Sequence, residues 1–150
     1  MITADLDRPW ILDEGLKLAP VIRELASLPG RTGTAYFEGV TVSPEAAELL
    51  QRHAVAPENP VERIVRWPRS HRYHVSASTA LVDDLAQLSR SVDEAAICNH
   101  LVILDDGAVL AAWFDVPDGP VLISRDADEA TVRQIASRLQ SGYARGEEAG

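Results

Sequence analysis

Apolar residues cluster most clearly in the last third of the chain. The runs "HLVIL", "AVLAAWF" and "VLIS" are separated by Asp106-Gly107 and by "DVPDGP". Asp-Gly between two apolar runs is the strongest short-range hairpin signal, so three antiparallel strands are expected there as a meander. "DADEATVRQIASRLQSG" then places Val132, Ile135, Ala136 and Leu139 on one helical stripe. Asp126 is the expected N-cap, with Glu129 three residues on, and Gly142 the stop. The chain should therefore end in a βββα unit. An antiparallel sheet with one wet face alternates apolar and polar residues. These runs do not alternate, since Leu101 and Ile103 point one way and Val102 and Leu104 the other. Both faces of the sheet must be dry, so helices are expected to cover both sides, ahead of a partner on one face.

Upstream the pattern switches repeatedly between helical and strand period. Leu16, Ala19, Ile22, Leu25, Ala26 and Leu28 follow helical spacing, with Pro20 expected to break or kink the helix and Pro29-Gly30 to end it. "TGTAYFEGVTV" reads as a strand near 34–38. Ser43 as N-cap and Pro44 at the first helical position open a helix through "SPEAAELLQRH". Two short strands, 63–67 and 71–75, are expected around Pro68-Arg69-Ser70, followed by a helix with Leu81, Leu85 and Leu88 on one stripe. "SVDE", Ser91 to Glu94, matches a capping box opening a short helix through Cys98. The sum is an α+β fold: a mainly antiparallel sheet of about five or six strands packed with four or five helices. One domain is expected over 1–150, with 1–10 and 144–150 as loose termini.

Composition narrows the setting. The 150 residues are 46% hydrophobic and 25% charged, ordinary for a globular protein. The single Cys98 forms no internal disulfide framework, which points to a reducing, cytoplasmic location. The first ten residues lack a basic stretch followed by an apolar run. The longest apolar run, 108–114, is too short to span a bilayer, so no membrane association is expected. Net charge is −9, which disfavours nucleic acid as a partner.

Against that acidic background "VERIVRWPRSHRYHV", residues 61–75, stands out. Arg63, Arg66, Arg69 and Arg72 recur every third residue among Trp67, His71, Tyr73 and His74. A metal site is disfavoured, because His71 and His74 fall on opposite faces of a strand and adding Cys98 and His100 gives no recognised zinc spacing. Anion or nucleotide binding has the right residue types, arginine forks and stacking rings. An arginine-rich edge neutralised by nearby acids is the bland alternative. Arg, Trp and Tyr are also the residues that anchor protein interfaces.

Catalytic signatures are missing. Cys98 and His100 could share a strand face, but "AAICNHLVIL" places the cysteine at the apolar end of a helix entering the core. The acid pairs Asp83-Asp84, Asp93-Glu94 and Asp105-Asp106 each have a structural place, and no phosphate-binding glycine loop is present. "TAYFEGV", a helix and then "YHVSAST" resembles the strand–helix–Ser-Thr-Ser layout of ADP-ribosyltransferase toxins. Glu38 stands where that family has an arginine, however, and 100–125 holds no Glu-x-Glu pair.

The expectation is a non-catalytic protein-interaction module of immunity, antitoxin, adaptor or regulatory type, without cofactor or metal. Arg63, Arg66, Trp67, Arg69, Arg72 and Tyr73 would form its partner-binding set, toward another protein or a second copy. The alternatives are a small enzyme or ligand-binding domain with His71, His74 or Cys98 in a cleft, and nucleotide or RNA binding through 63–72.

Overall fold

A computed structural model describes residues 1–28 and 33–146. Seven strands form one sheet in the order β3-β2-β4-β5-β6-β1-β7, every neighbouring pair antiparallel. They are β1 (Trp10–Leu12), β2 (Thr34–Gly39), β3 (His71–Ser76), β4 (His100–Asp105), β5 (Ala108–Phe114), β6 (Val121–Ile123) and β7 (Tyr143–Arg145). Four α-helices accompany them: α1 (Leu18–Leu25), α2 (Pro44–Arg52), α3 (Thr79–Leu88) and α4 (Glu129–Arg138). The α+β class is as expected, with more strands than five or six. The additions are β1 and β7, which pair with each other.

Residues 1–10 are not a loose terminus. Ile2 forms a parallel bridge to Val61, and Ala4 and Trp10 are buried. At the other end Ala144 and Arg145 lie in β7, while residues 147–150 and the Pro29-Gly30 stop lie outside the described residues.

The βββα unit forms where the pattern placed it. Asp106 and Gly107 both have positive φ, 47° and 84°, as a two-residue type I′ hairpin requires. Ser43 caps α2 by accepting from the Ala46 amide at 3.1 Å. Pro20 does not break α1, because the helix begins at Leu18 and the proline falls in its first turn, where amides have no intrahelical partner.

Three local readings are corrected. The Ser91–Glu94 capping box does not form: Glu94 turns inward to accept from the Leu18 amide, and only a 3₁₀ turn, Glu94–Ala96, results. The N-cap of α4 is Asp128, which accepts from the Thr131 amide at 2.8 Å, and not Asp126. Residues 63–67 are not a strand, because the Ile64 and Val65 amides are taken by a side chain.

All four helices pack on one face of the sheet. Leu18, Ile22, Leu25, Leu50, Leu81, Leu85 and Ile135 meet Phe37, Leu101, Ile103 and Trp113 there. The other face is covered not by the expected helices but by extended chain. Ala4 and Val61, with Ile2 and Ile64 beside them, close over Tyr36, Val102 and Leu104. The non-alternating strands are thus dry on both sides, by two different kinds of cover. No helix among the described residues is long and apolar enough to cross a membrane.

Candidate functional site: a buttressed arginine–tryptophan loop

The loop 61–70 owes its shape to one buried acid. Strand register sets Arg72, Glu38, His100 and Phe114 in a row across β3, β2, β4 and β5 on the face opposite the helices. Glu38 is completely buried. A charge there is costly unless its oxygens are satisfied, and they are. The Ile64 amide donates to Oε1 at 2.9 Å, the Val65 amide donates to Oε2 at 2.6 Å, and the Tyr36 hydroxyl donates to Oε1. Arg72 completes the net, its Nε donating to the Tyr36 oxygen at 2.9 Å and its terminal nitrogen to the Val61 carbonyl.

Two imidazoles flank this net. His74 Nε2 accepts from the Val61 amide at 3.0 Å, and its ring lies 4.8 Å from that of Tyr36. His100 Nδ1 accepts from the Asp115 amide at 3.3 Å. Burial pushes both imidazole pKa values down. The Arg72 charge adds to the effect at His74, while Glu38 and Asp115 oppose it at His100 without cancelling it. Burial, followed by the hydrogen bond to Glu38, raises the Tyr36 phenol, which keeps its proton.

Backbone 61–65 is therefore pinned to the sheet, and the chain between Val65 and Ser70 projects from it. At its tip Trp67 is 87% exposed, the most exposed large hydrophobic side chain among the described residues. Arg66 is also exposed and reaches only Glu62, at 3.9 Å, an open ion pair of little strength. Arg63 and Arg69 make no ion pair with any described residue. They line an open cleft of about 560 Å³ with Ser70, His71 and Arg72. Ser70 is buried, and its hydroxyl has no hydrogen-bond partner among the described residues.

The expected partner-binding residues divide accordingly. Arg66, Trp67 and Arg69 share the projecting stretch, and Arg63 lies on the pinned backbone just before it. Arg72 faces the loop from β3 but spends most of its donors inside the net, and Tyr73 packs half-buried against the main core. Among the described residues, Arg66 alone of the four arginines has an acidic partner.

The residues of the enzyme alternative are not brought together. His71 lines the arginine cleft, and His74 lines a separate one of about 520 Å³ beside Val55, Ser76 and Asp105. Cys98 is fully buried in the main core, where desolvation and then the Glu94 charge push its thiol pKa up. A buried, protonated thiol is a poor nucleophile. Among the described residues no group of three or more His, Cys, Asp or Glu could hold a metal.

Tyr36 and Glu38 are not among the site residues expected from sequence, and His100 enters that reading only beside Cys98, never with Glu38. The available signal was Glu38 itself, one acid inside the otherwise apolar β-run "TAYFEGV". Glutamate is rarely buried without partners, so its position implied donors still to be found.

No protein-family model matches the chain, and neither a curated protein nor a solved structure matches it significantly.

Proposed function

We propose that the protein is a non-catalytic binding module that docks on an acidic surface of another protein through the loop 63–69. The observation that carries this reading is Trp67, 87% exposed on a backbone tied to the sheet by a buried carboxylate. Tryptophan and arginine dominate the energetic centres of protein interfaces. A loop already held in one shape loses less entropy on binding than a free one. The chain's net charge of −9 disfavours an acidic partner in general, and the unpaired arginines of this loop favour it here, which biases the docking orientation. The buried net is no rival catalytic centre, because a substrate cannot reach a fully buried Glu38. A cytoplasmic immunity, adaptor or regulatory role fits such a module.

The test compares proteins retained from cells by the tagged chain, Trp67→Ala and the double variant Arg66→Ala/Arg69→Ala, with melting curves for each. A partner held by the native chain and lost by both variants, at unchanged melting temperature, is expected. Size-exclusion chromatography of the same three proteins shows whether that partner is a second copy. Identical retained sets for all three would refute the reading.

A further inference from the structure

The cleft beside the loop has a chemistry of its own, and it stands independently of the docking reading. Arg63 and Arg69 line it without an acidic partner among the described residues, although the chain carries 23 acids against 14 lysines and arginines. In an acidic protein, arginines that gather at one cleft and stay unpaired leave forked donors open to a ligand. Ser70 forms part of the same wall, its hydroxyl oxygen closed off from solvent and without a hydrogen-bond partner among the described residues. Arg72 holds one side of the cleft rigid through Tyr36 and Val61, and His71 stands at its rim.

We infer that the cleft formed by Arg63, Arg69, Ser70, His71 and Arg72 is a binding site for a phosphate monoester. The open guanidinium groups of Arg63 and Arg69, with the donors that Arg72 does not spend on Tyr36 and Val61, match a compact dianion better than a single carboxylate, because different non-bridging oxygens can accept from different forks. The cleft is open to solvent, so an esterified group can extend out of it while the phosphate sits against the arginines. That group belongs either to a small phosphorylated metabolite or to a phosphorylated side chain.

Calorimetric titration at fixed ionic strength tests the site, with inorganic phosphate, glycerol 3-phosphate, N-acetyl-O-phosphoserine amide and succinate as probes. Saturable binding of phosphate and at least one ester is expected, with succinate weaker. The tighter of the two esters identifies the source. Arg69→Ala and Arg63→Ala should each weaken the tighter ester by roughly tenfold or more, the scale of a lost charge-assisted hydrogen bond. Neither side chain has a partner to lose, so both variants should keep the native circular dichroism spectrum. Arg63→Lys keeps the charge but not the fork and should recover only part of the affinity. Succinate binding as tightly as phosphate, or undiminished affinity in Arg69→Ala, would overturn the assignment.

Discussion

Three tryptophans of one chain sit in three environments, and their contrast is the sharpest residue-level test of the structure. Trp113 is fully buried and its indole donates to the Gly119 carbonyl at 2.8 Å. Trp113→Ala should cost about 3–5 kcal/mol, the range for emptying a large core site. Trp10 is nearly buried, with its indole on the Ala127 carbonyl at 3.1 Å. Trp67 touches so little that Trp67→Ala should leave the melting temperature almost unchanged. Its surroundings also carry a sign. With Arg66 and Arg69 beside it, iodide should quench the exposed tryptophan more efficiently than caesium, although the whole chain is at −9. Equal quenching by both ions would show that the arginines set no local positive field. Glu38 is the residue on which that field's geometry depends. Glu38→Gln retains the shape but replaces one oxygen with an amide donor, which meets either the Val65 amide, in the place of Oε2, or the Ile64 amide and Tyr36 hydroxyl, in the place of Oε1. Roughly 3 kcal/mol should be lost in a urea titration, as when one partner of a buried charge network is removed. Limited proteolysis within 61–70 should accelerate in the same variant.

At the scale of elements, legibility followed length and locality. The hairpin of β4 and β5 was readable because seven apolar residues and an Asp-Gly turn sit next to one another in the chain. Strands β1 and β7 were not readable, since three residues are too few to show alternation and their pairing spans almost the whole sequence. Residues 63–67 have strand composition, yet their amides are claimed by an acid about 26 residues upstream, and no local pattern announces that. The start of α4 is a graded case. Asp126 and Glu129 have the spacing of a capping box, but the Asp126 amide donates to the Ser124 hydroxyl at 3.2 Å and Trp10 holds the Ala127 carbonyl. Those two bonds keep 126–127 in the turn and move the cap to Asp128. Asp128→Ala should therefore lower the melting temperature and Asp126→Ala should lower it less. The reverse order would restore the reading from spacing alone.

The molecule as a whole has a helical side and a side closed by extended chain, and the second is expected to respond first to acid. His74 and His100 both belong to that second face. His74 is required as an acceptor by the Val61 amide, so protonating it would set donor against donor where the 60–65 segment is fastened to the sheet. Both imidazoles are pushed below their ordinary range, chiefly by burial. The unfolded chain therefore takes up protons on these residues at a higher pH than the folded chain does. Stability should be level above about pH 7 and should fall as pH drops through about 6.5, where free histidine titrates. Carboxylates such as Asp128, whose pKa is depressed by its hydrogen bonds to Thr131, contribute only at more acid pH. Thermal melts at pH 7.5, 6.5 and 5.5 measure the effect. His74→Gln can still accept from Val61 but cannot take up a proton, so its melting temperature should vary less between pH 7.5 and 5.5 than that of the native chain. An equal pH dependence in the variant would place the acid sensitivity elsewhere, and a native melting temperature unchanged at pH 5.5 would show that the second face tolerates charge. Because the arginine–tryptophan loop is fastened through this face, the same pH interval should bring faster proteolysis within 61–70 before the helical side is lost.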